Sequence, residues 1–83
     1  MPALLDAQGR TLTDRVVLAL AEEPWSTARD LADELGARQV SVACILLDLY
    51  MRRRAERVMG RRKGSRQRVW SYRLVGAVPE HLL

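Results

Sequence analysis

The 83-residue chain has one cysteine, Cys44, and one histidine, His81. A single thiol excludes an internal disulfide, and these two residues give no zinc-ligand spacing, so the fold must stand on packing alone. Long apolar runs are missing too. The stretch 16–21 is far below the roughly 18 residues of a membrane span, and the chain reaches Asp6 and Arg10 without the apolar block of a signal peptide. These absences point to a cytoplasmic protein with no membrane partner. No glycine-rich phosphate motif follows a strand, because Gly60 and Gly64 lie in a loop with no helix after them. General acid-base or nucleophilic chemistry needs convergent groups around a concavity, and a chain this short offers a core rather than a pocket. An enzyme, a cofactor and a small-molecule substrate are therefore not expected.

What is present is one small domain with its charge sorted along the chain. A domain of this length buries only about 60 to 65% of its unfolded surface, so its core must be small. Apolar types make up 48% and charged types 29%, the balance of a folded chain rather than a disordered one. Residues 1–48 carry four basic side chains against eight acidic, a balance of −4, whereas residues 49–83 carry ten against two, a balance of +8. Nine of those ten cations are arginine, and all ten fall between Arg52 and Arg73 with only Glu56 among them. Like charges this dense repel one another in the free protein, and a polyanionic partner relieves that cost. Arginine also presents a planar donor fork that suits phosphates and guanine edges.

The chain divides at its turn residues. Residues 1–11, with Pro2 and Gly9, show no period and read as a flexible arm. Thr11 and Thr13 are both candidate N-caps for a helix over 14–22, where Val16, Val17, Leu20 and Ala21 recur at spacings of three and four. Pro24 closes it, and Trp25 is expected in a short extended piece. Thr27 and Asp30 have capping-box spacing before a second helix whose face carries Ala28, Leu31, Ala32 and Leu35. Gly36 ends that helix. A third helix is predicted over 39–52, with Val42, Ile45, Leu46 and Leu49 on its core face and an Asp48–Arg52 pair one turn apart. The period then changes to two, giving strands over 55–59 and 69–74 with Trp70, Tyr72 and Leu74 on one side, and a basic loop over 60–68. Residues 76–83 form a tail, either frayed at 80–83 or folded back on the first helix.

The order helix, helix, turn, helix, strand, loop, strand resembles the winged helix-turn-helix DNA-binding family over residues 12–75. The residues that carry the resemblance are Thr27, Asp30, Leu31, Leu35 and Gly36 in the first motif helix and turn, and Val42, Leu46 and Leu49 in the third helix. Arg57 and Val58, the Arg61-Arg62-Lys63-Gly64 loop and Tyr72-Arg73-Leu74 are similar to its wing. Within the family the chain looks like the small regulators of bacterial fimbrial operons, through Ile45-Leu46-Leu47-Asp48-Leu49, the loop and the Trp70 to Tyr72 aromatics. The resemblance implies a mainly α fold with a two-stranded wing, and a small transcriptional regulator that binds specific sequences of double-stranded DNA. It places the third helix in the major groove, with Arg38, Gln39, Ser41 and Cys44 reading bases. Thr27, Arg52, Arg54, Arg61, Arg62, Lys63, Arg66 and Arg68 fall on backbone or minor groove. A second copy on adjacent DNA or another regulatory protein is the expected further partner.

Two departures accompany the resemblance. Many winged helices place a glycine where this chain has Arg53, so the exit from the third helix must take the left-handed penalty or another geometry. The third helix is also poor in base readers, since Val40 and Ala43 offer only apolar contact to a thymine methyl. Two other functional readings stay open: a protein-interaction module using the acidic first half or Leu47, Tyr50 and Met51, and a shape-directed binder of RNA or nonspecific duplex. Leu47, Tyr50 and Met51 exceed what the core stripe needs and either cover the first helix or form an oligomer contact. Trp25, Trp70 and Tyr72 read as supporting aromatics, Cys44 as a packing residue, and His81 as idle.

Overall fold

In the computed structural model of the chain, residues 9–61 and 68–82 are described. Thr11 sets the start of the first helix. Its Oγ1 accepts a hydrogen bond from Asp14 N–H at 3.2 Å, and the Asp14 carboxylate accepts one from Thr11 N–H at 3.1 Å. This reciprocal pair satisfies two donors that a helix start leaves open, so α1 runs Leu12–Glu22, two residues longer at its start than the periodicity predicts. Val16, Val17 and Leu20 are buried. Ala21 is exposed rather than on the core face, and Ala19 is buried instead. Val16 and Leu20 centre that face, and Ala21 lies about 100° round from Leu20 on the side away from Ala19.

The extended piece after Pro24 is shorter than expected and excludes Trp25. Trp25 takes the left-handed backbone region at φ 64, and the strand β1 is Ser26–Thr27 alone. Ser26 Oγ donates to Glu23 O at 2.7 Å and closes the turn. Thr27 Oγ1 then accepts from Asp30 N–H at 3.1 Å and caps α2, Ala28–Leu35. Leu31 and Ala32 are buried, while Ala28 and Leu35 pack against the same core at half-burial. Gly36 ends α2 at φ 62, with its N–H on Asp33 O and the Ala37 N–H on Ala32 O. Glycine takes this conformation without a Cβ clash.

Helix α3, Gln39–Met51, buries Val42, Leu46 and Leu49 and half-buries Ile45, as its spacing predicts. It ends by the same pair of hydrogen bonds as α2: Arg53 N–H to Tyr50 O and Arg54 N–H to Leu49 O. Here Arg53 holds the left-handed position at φ 61. The exit turn thus keeps the usual geometry and carries a strain of about 1 to 2 kcal/mol that a glycine would not.

Strands β2, Ala55–Arg61, and β3, Arg68–Leu74, pair antiparallel from Ala55↔Leu74 to Arg61↔Arg68. Gly60, Arg61 and Arg68, expected in the loop, are therefore strand residues, and the segment between the strands lies outside the described residues. β1 also joins β3, with Ser26↔Tyr72 and Thr27↔Ser71, so the sheet has three strands in the order β1-β3-β2 rather than the two expected. Two residues are too few for a period-two pattern to register.

The result is a mainly helical domain with a small antiparallel sheet closing one side. Its core is Val16, Leu20, Leu31, Val42 and Leu46, with Ala55, Tyr72 and Leu82 buried around them. Leu82 belongs to a 3₁₀ turn, Glu80–Leu82, and His81 Nε2 lies 3.5 Å from Asp14 Oδ1, so these residues fold back on α1. Among the described residues, no helix is long and apolar enough to cross a membrane.

Candidate functional site

The sheet register decides which side chains face α3. Successive strand residues point to opposite faces, and directly paired residues share one. Ala55, Arg57 and Met59 of β2 therefore lie on the same face as Trp70, Tyr72 and Leu74 of β3. Arg57 is central to it: its guanidinium carbon sits 4.1 Å from the Tyr50 ring centroid and 4.0 Å from that of Trp70. The cation lies between a ring from α3 and a ring from the hairpin. Its Nε is buried without a hydrogen-bond acceptor, a group that the two π faces compensate in part. The Tyr72 hydroxyl, with a lesser effect of Tyr50, holds the Arg57 pKa above its ordinary value against the opposing effect of burial. Arg57 therefore stays cationic at any working pH.

Beside this stack an open groove of about 410 Å³ runs between α2, α3 and β3. Thr27, Ala28 and Arg29 form one wall, Gln39 and Ala43 a second, and Val69, Trp70 and Tyr72 the third. A second concavity of about 570 Å³ lies where Tyr50, Met51 and Arg53 meet the start of β2 and Val75. Among the described residues, no group of three His, Cys, Asp or Glu side chains could hold a metal ion.

The described residues singled out by sequence fall in four places. Arg38, Gln39 and Cys44 are exposed at the first half of α3, and Ser41 is half-buried. Ser41 is turned about 100° from Val40, the helix's most exposed line, which explains its partial cover. Arg38 is the N-cap residue of α3 and makes no side-chain cap bond. Thr27 is buried, with its hydroxyl oxygen already engaged in capping α2, so it lines the groove as wall rather than as a free donor. Arg52 and Arg54 are exposed past the end of α3, and Arg52 Nε pairs with Asp48 at 3.1 Å as the spacing predicts. That exposed pair is worth a few tenths of a kcal/mol. Arg68 is exposed at the start of β3, and the backbone of Arg61 ends β2. Arg62, Lys63 and Arg66 lie outside the described residues.

The remaining cations divide by what holds them. Arg15 donates to Leu35 O at 2.8 Å, and Arg73 pairs with Glu56 at 2.9 Å while lying 5.2 Å from the Trp25 ring. Among the described residues, Arg29, Arg38, Arg53, Arg54 and Arg68 are exposed and carry no ion pair. Sequence reasoning missed Arg29 as a groove residue and Arg57 as the cation stacked between Tyr50 and Trp70 beside it. Arg29 follows the cap of α2 and could have been found from that position; Arg57 needed the strand register.

The outward side of α3 is unlike that of a polar surface helix. Val40 and Met51 are each 71% exposed and Leu47 47%, and Ala43 and Cys44 are exposed between them. At about 100° per residue these five lie on one stripe roughly 100° wide. Leu47 and Met51 therefore do not cover α1.

No family model, no curated protein and no solved structure matches this chain.

Proposed function

We propose that the chain is a winged helix-turn-helix protein that binds duplex DNA, with most of its affinity drawn from phosphate contacts. The observation that carries this reading is the set of exposed arginines without an ion pair among the described residues: Arg29 lining the groove, Arg38 at the start of α3, Arg53 and Arg54 past its end, and Arg68 on the hairpin. Acidic groups cluster elsewhere, on the outer side of α2 at Asp30, Asp33 and Glu34. The sequence between the strands adds Arg62, Lys63 and Arg66 to the count of cations in the second half of the chain.

In this reading the first turn of α3 enters the major groove, and the hairpin follows the backbone or minor groove. Arg38 and Gln39 are the exposed side chains there that can hydrogen-bond to base edges, and Val40 and Ala43 add apolar contact to a thymine methyl. Sequence choice is therefore modest beside the electrostatic component. Arg57 acts indirectly: stacked between Tyr50 and Trp70, it fixes the angle between α3 and the hairpin. No chemistry on a bound substrate enters this function.

The test is a titration of the full chain against random duplex DNA, duplex RNA and single-stranded DNA over a salt series. Three or four neutralised phosphates give a slope of log affinity against log salt of about −3 to −4 on duplex DNA. Tight binding to duplex RNA with none to DNA would replace the reading, and absence of binding to any duplex at low salt would end it. The Gln39→Ala variant is expected to weaken a selected cognate site more than random duplex.

A further inference from the structure

We infer that the outward stripe of α3 is a docking surface for an acidic amphipathic helix of a partner protein. Single exposed apolar residues are ordinary, but a continuous line of them on a helix is not. Val40, Ala43, Cys44, Leu47 and Met51 follow one another at spacings of three and four, the pattern by which one helix receives another. From Val40 to Met51 the stripe extends about 16 Å, three helical turns. Its opposite face is already covered by the core through Val42, Leu46 and Leu49, so α3 is apolar on both sides. Helices of that kind are normally enclosed on both sides.

Charge identifies the occupant. Arg38 stands exposed before the first turn and Arg52, Arg53 and Arg54 after the last, so both ends of the stripe are cationic. Towards the hairpin the border is the Tyr50–Arg57–Trp70 stack, with a further cation at its centre. The acid on the other border, Asp48, is paired with Arg52. A helix with leucine-like residues at matching spacing and carboxylates at both ends meets every feature of this surface.

A second copy of the chain does not. Antiparallel pairing of two α3 helices about the middle of the stripe brings Arg38 of one copy to Arg53 of the other. Parallel pairing sets the two arginine triplets side by side. Both arrangements place like charges together as the apolar contact forms. Duplex DNA touches the ends of the stripe through arginine but gains little from its apolar middle. The inference does not rest on the duplex reading, although the two ligands would exclude each other at Arg38, Val40 and Ala43.

The experiment uses the full chain and a labelled synthetic helix about three turns long, with leucines at three- and four-residue spacing and glutamates at both ends. A scrambled peptide of identical composition is the control. Fluorescence anisotropy is expected to show at least about tenfold tighter binding of the amphipathic peptide, and a loss of about tenfold or more in the Leu47→Lys/Met51→Lys double variant. Both substituted side chains are exposed, and an unchanged thermal midpoint verifies the fold of the variant. Equal binding of the scrambled peptide would mean charge alone and overturn the proposal, as would no binding of either peptide. Sedimentation of the free chain as a dimer that the double variant dissociates would assign the stripe to a second copy instead. Loss of random-duplex affinity in the double variant with peptide binding unchanged would assign it to DNA. A failed duplex titration leaves the peptide measurement intact.

Discussion

Helices α2 and α3 leave their last turns by the same two backbone hydrogen bonds and pack on the same core, yet their outer surfaces differ. The outer residues of α2 are Arg29, Asp30, Asp33 and Glu34; along α3 the outward stripe is Val40, Ala43, Cys44, Leu47 and Met51, with Gln39, Asp48 and Tyr50 exposed at its borders. α2 turns at Gly36, which takes φ 62 freely, and α3 turns at Arg53, which takes φ 61 under strain. A charged outer face and a glycine turn are what folding alone requires. An apolar outer face and a strained arginine are not, and they occur together on α3. On the proposed reading, the difference marks α3 as the helix whose outer face is free for a partner.

The largest expected effect compares the two sides of α3. Leu46 is fully buried, so Leu46→Ala should cost about 2 to 5 kcal/mol in urea unfolding. The adjacent Leu47→Ala, at 47% exposure, should stay within about 0.5 kcal/mol of the unsubstituted chain. A large loss at Leu47 would mean that the outward stripe is structural.

The next compares the charges. Changing Arg52, Arg53 and Arg54 together to Ala should make the salt dependence of duplex binding shallower by about two to three units. Neutralising Glu22 and Glu23 at the end of α1 should leave that slope as it is, since neither lies among the arginines proposed to meet the duplex. Equal effects of the two sets would show that net charge, not position, governs binding.

A smaller effect sharpens the contrast between the turns. Arg53→Gly should raise stability by about 0.5 to 1 kcal/mol, the left-handed strain less the entropy a glycine loses on folding. Gly36→Ala should lower it by about 1 kcal/mol. No atom lies within 4 Å of where the added Cβ would stand, so that loss would be purely conformational. Thermal denaturation of both variants measures the pair.

The smallest effect lies at the cap of α1, and it depends on pH. The hydrogen bond from Thr11 N–H holds the Asp14 carboxyl below its ordinary pKa despite some opposing burial, with further support from the Thr11 hydroxyl and His81. A depressed carboxylate contributes stability that is fully present above its unfolded pKa and is lost as pH falls through the folded one. Stability should therefore decline below about pH 4, and Asp14→Asn should flatten that decline.

Much of the helical fold is legible in the residues themselves. The spacing of Val42, Ile45, Leu46 and Leu49 is enough to place α3, because a helix repeats its buried face every three to four residues. Gly36 and Pro24 mark their turns by backbone chemistry alone. The Asp48–Arg52 pair follows from the same geometry, and Arg53 could be recognised as a cation in a glycine's position. The apolar excess of Leu47, Tyr50 and Met51 was equally visible, but not whether α1 covers it, because the spacing sets it off the core stripe without saying which element packs there.

The amino-acid sequence thus determines the helices, the glycine exit of α2 and the sorting of charge, since each depends on residues within a few positions of one another. Tertiary structure alone decides that Ser26 and Thr27 join the sheet through Tyr72 and Ser71, that Arg57 lies between Tyr50 and Trp70, and that Val40, Leu47 and Met51 stay exposed. Those outcomes rest on pairings between distant segments. Such pairings are settled by which surfaces bury one another when the chain closes, a property of the assembled core that no local pattern encodes.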